Sequence, residues 1–171
     1  MQSNITTLLS HKSDPRLFAE KCVQRDLKQI KMNTEDTTII FIDPIDANYL
    51  HLEATITGPM LTPYENGIFL LHIKLSEEYP YQPPQSIIFK RATMHPNIDE
   101  YGNFKSELLK LEFWSPTMTI KDILEHVWAR LAIPNIDSNE CDPTRAQSYR
   151  MDRSQFEIEA REYAIKYAYA T

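Results

Sequence analysis

The chain is poor in glycine and cysteine, and it has no long apolar run. Three glycines, Gly58, Gly67 and Gly102, stand in 171 residues, where average usage would give about a dozen. Each glycine is expected at a turn needing positive φ or at a close backbone approach. Two cysteines, Cys22 and Cys141, are too few for a disulfide scaffold, and without an export signal they are expected as free thiols. No stretch approaches the roughly 18 apolar residues of a membrane span. The start Met1-Gln2-Ser3-Asn4 lacks the basic-then-apolar pattern of a secretory leader. A soluble protein of the cytoplasm or nucleus is expected. Basic residues are outnumbered, 18 Lys and Arg against 24 Asp and Glu for a net charge of −6. That balance argues against nucleic-acid and anionic-membrane binding, which need concentrated positive charge. Protein partners are expected instead, and nothing in the composition calls for a metal or cofactor.

Apolar residues make up 42% of the chain, enough at this length for one domain with one core. Residues 1–13 are polar and aperiodic and read as a flexible arm, leaving 14–171 as the core domain. Asp14-Pro15 reads as a helix start, with Asp14 as N-cap and Pro15 at the first helical position. Ala19, Val23, Leu27 and Ile30 then share one face of a helix running to about Lys31. Its other face carries Lys21, Gln24, Arg25 and Lys28. From Thr37 to Lys90 the period changes to two and β-branched residues become common. Strands are expected near Thr37–Ile42, Tyr49–Thr57, Gly67–Leu75 and Ser86–Lys90, with turns at Asp43-Pro44 to Asn48, Gly58 to Asn66 and Glu77 to Pro84. Short connections favour an antiparallel meander. A helix near Thr119 carries the stripe Ile120, Ile123, Leu124, Val127 and Leu131. Another starts at Asp152, with Phe156, Ala160, Tyr163 and Tyr167 on one face. Helix, four strands, then helices is an α+β layout.

Four motifs follow in order: Tyr64-Glu65-Asn66-Gly67, Tyr79-Pro80-Tyr81-Gln82-Pro83-Pro84, His95-Pro96-Asn97-Ile98 and Trp114-Ser115-Pro116. That series resembles the core of the ubiquitin-conjugating enzymes over about Arg16 to Tyr167. The resemblance implies the ubiquitin-conjugating fold and partners drawn from that pathway: ubiquitin or a ubiquitin-like modifier, a RING-type ligase, and an activating enzyme or an active conjugating enzyme. It also implies a cysteine eight residues after the Asn, to carry the modifier as a thioester. Counting eight from Asn97 reaches Lys105.

Lysine cannot replace that chemistry. A thiolate is accessible near neutral pH, whereas an amine with a reference pKa near 10.4 is mostly protonated. Acylated Lys105 would be an isopeptide amide, a trap that does not pass its load onward; otherwise it is a surface lysine. The following residues Ser106-Glu107 also depart from the family, which has an apolar residue and then Asp or Asn. Three adjacent departures point to a site released from catalysis rather than to one engineered replacement of Cys by Lys.

The resemblance gives Asn97 the role of supporting the oxyanion and His95 that of holding the turn. Donors aimed at developing negative charge are worth a few kcal/mol. Asp137 matches an Asp that orients or deprotonates the incoming lysine, and it equally fits a self-bonded Asn-Ile-Asp-Ser turn. Cys141 is the one alternative nucleophile near this groove, although Glu140 and Asp142 disfavour its anion. Cys22 reads as packing. Tyr81, in a proline-stiffened loop, and Ser115 with Pro116 match the ligase-docking loops. The family often has Phe where Tyr81 stands and Ala where Thr117 stands, so its partner set is not inherited. Lys21, Arg25 and Lys28 read either as a solvated face or, by resemblance, as the surface for the activating enzyme. The segment Phe41-Ile42-Asp43-Pro44-Ile45-Asp46 is similar to one in conjugating enzymes of the neddylation pathway, which places a Nedd-type modifier second after ubiquitin. The resulting expectation is a catalytically impaired conjugating-enzyme-like protein that modulates ubiquitination. The alternative is an active thioester transferase using Cys141, or one whose Cys has been replaced at 105.

Overall fold

A computed structural model describes residues 14–32, 37–137 and 141–169. The arm 1–13 and residues 138–140 of the loop before Cys141 lie outside the described residues. Helix α1 spans Pro15–Met32, and the Asp14 carboxylate accepts the Arg16 N–H at 3.0 Å, which satisfies one of the donors left open at a helix start. Ala19, Cys22, Val23, Asp26 and Leu27 form its buried face; Ile30 packs at the core's edge.

Strands β1 (Ile39–Ile45), β2 (Asn48–Thr57), β3 (Ile68–Lys74) and β4 (Ser86–Phe89) form one antiparallel sheet in sequence order. Period-two burial selects Leu50, Leu52, Ala54 and Ile56 on β2, Phe69, Leu71 and Ile73 on β3, and Ile87 and Phe89 on β4. In-register pairs such as Leu52 with Ile73 and Ile56 with Phe69 keep all of these side chains on the helix-covered face.

One boundary corrects the sequence-based expectation. Asp43 and Pro44 lie inside β1, paired with Glu53 and Leu52, and the turn is reduced to Asp46 and Ala47, at φ +51° and +58°. Proline lacks an N–H for a ladder, but β1 is an edge strand, where its nitrogen meets no neighbour. Two successive left-handed residues make the hairpin turn whose twist suits the flanking strands.

Helix α2 (Ile120–Ala132) starts on a reciprocal capping box between Thr119 and Asp122, and its stripe Ile120, Ile123, Leu124, Val127 and Leu131 is buried as its spacing predicts. Helix α3 (Pro143–Met151) has no apolar stripe and was not anticipated. Helix α4 (Arg153–Tyr167) buries Phe156, Ala160 and Ala164, so Tyr163 and Tyr167 are not on the core face. Tyr163 is exposed, and the two rings meet each other at 5.4 Å on the flank. The last turn of α4 is tied to the sheet by Ile68 N–H donating to the Ala168 carbonyl at 2.7 Å. Cys22 is buried and Cys141 half-exposed, and the two are not joined in a disulfide. No helix among the described residues is long and apolar enough to cross a membrane.

Candidate functional site

After β4 the chain doubles back, and backbone pairing fixes the site. His95 pairs with Ile98, Ile98 with Phe104, and Ile88 with Asn103. Gly102, at φ +86°, closes the turn, and the Lys105 N–H donates to the Asn97 carbonyl at 2.7 Å. The position eight residues after Asn97 is thereby set against Asn97 itself. Helix α3 secures the turn from behind: the Asp142 N–H reaches the Pro96 carbonyl at 2.7 Å. A single Arg145 nitrogen donates to the carbonyls of Thr93 at 2.9 Å and Ile98 at 2.5 Å.

His95 is fully buried, and its Nδ1 accepts the Asn97 N–H at 2.9 Å. Nε2 therefore carries the proton and makes no well-formed hydrogen bond. Burial pushes the imidazole down from its ordinary 6.5 to about 3; the Arg130 backbone is the next influence and opposes it, and the Arg145 and Arg130 charges push the same way as burial. Such a group is a neutral brace for the turn. Tyr64 packs on it at 5.5 Å and donates its hydroxyl to the Met94 carbonyl at 2.7 Å, and Gly58, where a Cβ would sit 1.8 Å from the Tyr64 carbonyl oxygen, lets that segment close.

Asn97 is buried too, with its amide engaged on the loop after α2. It donates to the Asn135 carbonyl at 2.9 Å and accepts the Asn135 N–H at 2.8 Å.

Lys105, Ser106 and Glu107 each have a definite partner. The Lys105 ammonium lies 3.3 Å from an Asp99 carboxylate oxygen. Burial would raise the Asp99 carboxyl, but the Asn103 donors and Lys105 outweigh it and hold it below its ordinary value. Ser106 Oγ is 2.7 Å from His126 Nε2. Glu107 accepts from the Asn135 amide at 2.6 Å and faces Arg130 at 4.0 Å, which links it back to the loop that grips Asn97.

Asp137 follows on that loop, but its side chain is 91% exposed and paired with Arg150 at 3.2 Å. Cys141 is carried beside the Pro96 turn by its neighbour Asp142, and its Sγ lies 3.9 Å from the Ile136 carbonyl.

At the other end of the molecule, Trp114 Nε1 donates to the Pro80 carbonyl at 2.7 Å, joining the proline-rich loop to the Ser115-Pro116 loop. Tyr81 is 61% exposed and stacks on Phe18 of α1 at 6.1 Å, while Ser115 bonds Thr117 at 2.8 Å and Pro116 is exposed. These loops and α1 meet at one surface. Lys21, Arg25 and Lys28 are exposed on α1, but Arg25 is tied at 2.9 Å to Asp26.

Asp26 was not singled out in the sequence. It is a buried carboxylate that accepts the Tyr79 hydroxyl at 2.7 Å and the Ile120 N–H at 3.3 Å. Arg145, Asn135 and His126 were also missed. An acidic residue two positions before the exposed Lys28 looks local, and nothing in a one-dimensional pattern pairs residue 26 with 79 or residue 106 with 126.

An antiparallel four-stranded meander, flanked by helices and ending in a His-Pro-Asn turn that presses the candidate position against Asn97, defines a conjugating-type domain. Residues 22–164 match the family model described as ubiquitin-conjugating enzyme, and the chain belongs to that family.

Proposed function

We propose that this chain is a conjugating-enzyme variant that does not carry a modifier as a cysteine thioester at position 105. It acts by binding ubiquitin-pathway components, a modifier, a RING-type ligase, or an activating or active conjugating enzyme, and by adjusting their output in the cytoplasm or nucleus. One observation carries the reading. Lys105, Ser106 and Glu107 are each built into a local network, with Asp99, His126 and Asn135 respectively. A catalytic loop with a single replaced residue would retain partners suited to cysteine; here three neighbours are accommodated together. Asn97 supports this, since its amide grips the Asn135 backbone. The exposed surface of Tyr81, Phe18, Ser115 and Pro116 fits ligase docking, because a stiff loop with a pre-stacked aromatic loses little entropy on binding.

A second reading rests on Cys141, which α3 holds beside the Pro96 turn and which is half-exposed; it makes the chain a thioester transferase with a relocated nucleophile. Intact mass after incubation with an activating enzyme, ATP and ubiquitin decides between the two. No reductant-sensitive adduct is expected. An adduct released by thiol reductant and lost in Cys141→Ser would overturn the proposal.

A further inference from the structure

We propose that Ser106 is an acyl acceptor, with His126 as its general base, and that it takes the carboxyl-terminal glycyl group of a modifier from a thioester donor to form an oxyester. The inference rests on the reading that no cysteine thioester forms at position 105, and it gives that same loop a chemistry of its own.

The close pairing of a hydroxyl with an imidazole carries the argument. Ser106 Oγ accepts the Leu108 N–H at 3.2 Å as the N-cap of a single 3-10 turn, Glu107–Leu109. It also lies 2.7 Å from His126 Nε2. In the tautomer with the imidazole proton on Nδ1, His126 Nε2 accepts the Ser106 hydroxyl hydrogen; one oxygen lone pair is committed to Leu108, and the second is left for attack. A hydroxyl donating to an imidazole nitrogen within hydrogen-bond reach is the arrangement that activates a serine. Burial, with Arg130 acting the same way and Glu107 opposing, holds His126 below its ordinary value, so the ring is unprotonated and able to take the proton near neutral pH.

Ser106 is otherwise enclosed, with 2% of its surface exposed. A cavity of about 310 Å³ lies against it, lined by Ser86, Asn103, Lys105, Ser106 and Lys110 among others. The acyl group that suits a serine so enclosed is one without a side chain, which is what a glycine-ended tail presents. Lys105, whose ammonium is paired with Asp99, and Lys110 also line this cavity.

In the step, the Ser106 oxygen attacks the thioester carbonyl and its proton passes to His126 Nε2. The carbon–sulfur bond of the donor breaks, and the departing thiolate takes the proton back from His126. The product is an ester, which holds the modifier longer than a thioester would.

The test uses the full chain with two donors: ubiquitin with its activating enzyme and ATP, and the small thioester of acetyl-glycylglycine, which needs no enzyme to present it. The expected product is an adduct that survives thiol reductant and is released by mild hydroxide. It should be absent in Ser106→Ala and at least about 100-fold slower to form in His126→Gln, the range general-base catalysis supplies. In Ser106→Cys the adduct should become reductant-sensitive, a gain that a misfolded variant could not produce. The proposal is overturned if neither donor leaves an adduct, or if the adduct resists hydroxide and disappears in Lys105→Arg, which would identify an isopeptide at Lys105. A reductant-sensitive adduct on the unaltered chain would overturn the parent reading as well, and Cys141→Ser would locate it.

Discussion

His95→Asn offers the sharpest test of how the turn is held. The native imidazole is neutral down to about pH 3, while in the unfolded chain it takes a proton below its ordinary 6.5. Between those values the unfolded state binds more protons, so stability rises with pH and is lost as pH falls. Above pH 6.5 the contribution is fully present. For one proton the slope is about 1.4 kcal/mol per pH unit, which removes about 2 kcal/mol by pH 5 and about 3 kcal/mol by pH 4. The whole window to pH 3 corresponds to roughly 5 kcal/mol, a large share of the 5–15 kcal/mol that holds a typical domain. The charged neighbours Arg130 and Arg145 both oppose a protonated ring, so neither softens the effect. Asparagine places an oxygen where Nδ1 sits and keeps an acceptor for the Asn97 N–H, but it has no proton to gain. The variant should be less stable at pH 8 by about 1–3 kcal/mol, for the ring volume it loses. That deficit should shrink by about 2 kcal/mol at pH 5. Urea unfolding at half-unit steps from pH 8 to pH 4, on both proteins, measures the difference directly and cancels every other titrating group. Parallel stability curves would refute the argument, because they would mean that His95 gains its proton at the same pH folded and unfolded.

Asp26→Ala strips the Tyr79 hydroxyl and the Ile120 N–H of their buried acceptor and should cost about 3–5 kcal/mol. Tyr79→Phe alone should cost about 1–2 kcal/mol, and denaturant unfolding of the double variant should show the two losses overlapping rather than adding. At the β1–β2 turn, Ala47 sits at φ +58°, a region that costs a residue with a Cβ about 1 kcal/mol. Ala47→Gly should therefore raise the melting temperature by about 2–4 °C for a chain of this size, and a lowered melting temperature would show that the turn is not left-handed in solution.

The parts of this protein that could be read along the chain are those whose causes are local. Asp14-Pro15 starts α1, Thr119 with Asp122 starts α2, and the alternation through β2 and β3 chooses the buried face, because caps and periodicities act within a few residues. The four motifs stand along the chain in the order the family has them, and Lys105 lies eight residues after Asn97. Where several forces competed, local signals misled. Pro44 looked like a turn until its place on an edge strand removed the need for its N–H, and the bulk of Tyr163 and Tyr167 drew attention from Ala164, which α4 buries beside the expected Phe156 and Ala160. The Asp142-Pro143 pair carries the same start signal as Asp14-Pro15, yet α3 buries only Ala146 and shows no stripe to follow. The site itself belongs to tertiary structure. Asn97 meets Asn135 across 38 residues, Ser106 meets His126 across 20, and Asp26 meets Tyr79 across 53. A hydrogen bond between such distant groups is worth making only after burial has taken both from water, since leaving either unpaired there costs more than the bond itself contributes. Residue identities set which groups were available for those bonds, and the packing of α2 and α3 against the His95 turn decided which of them met.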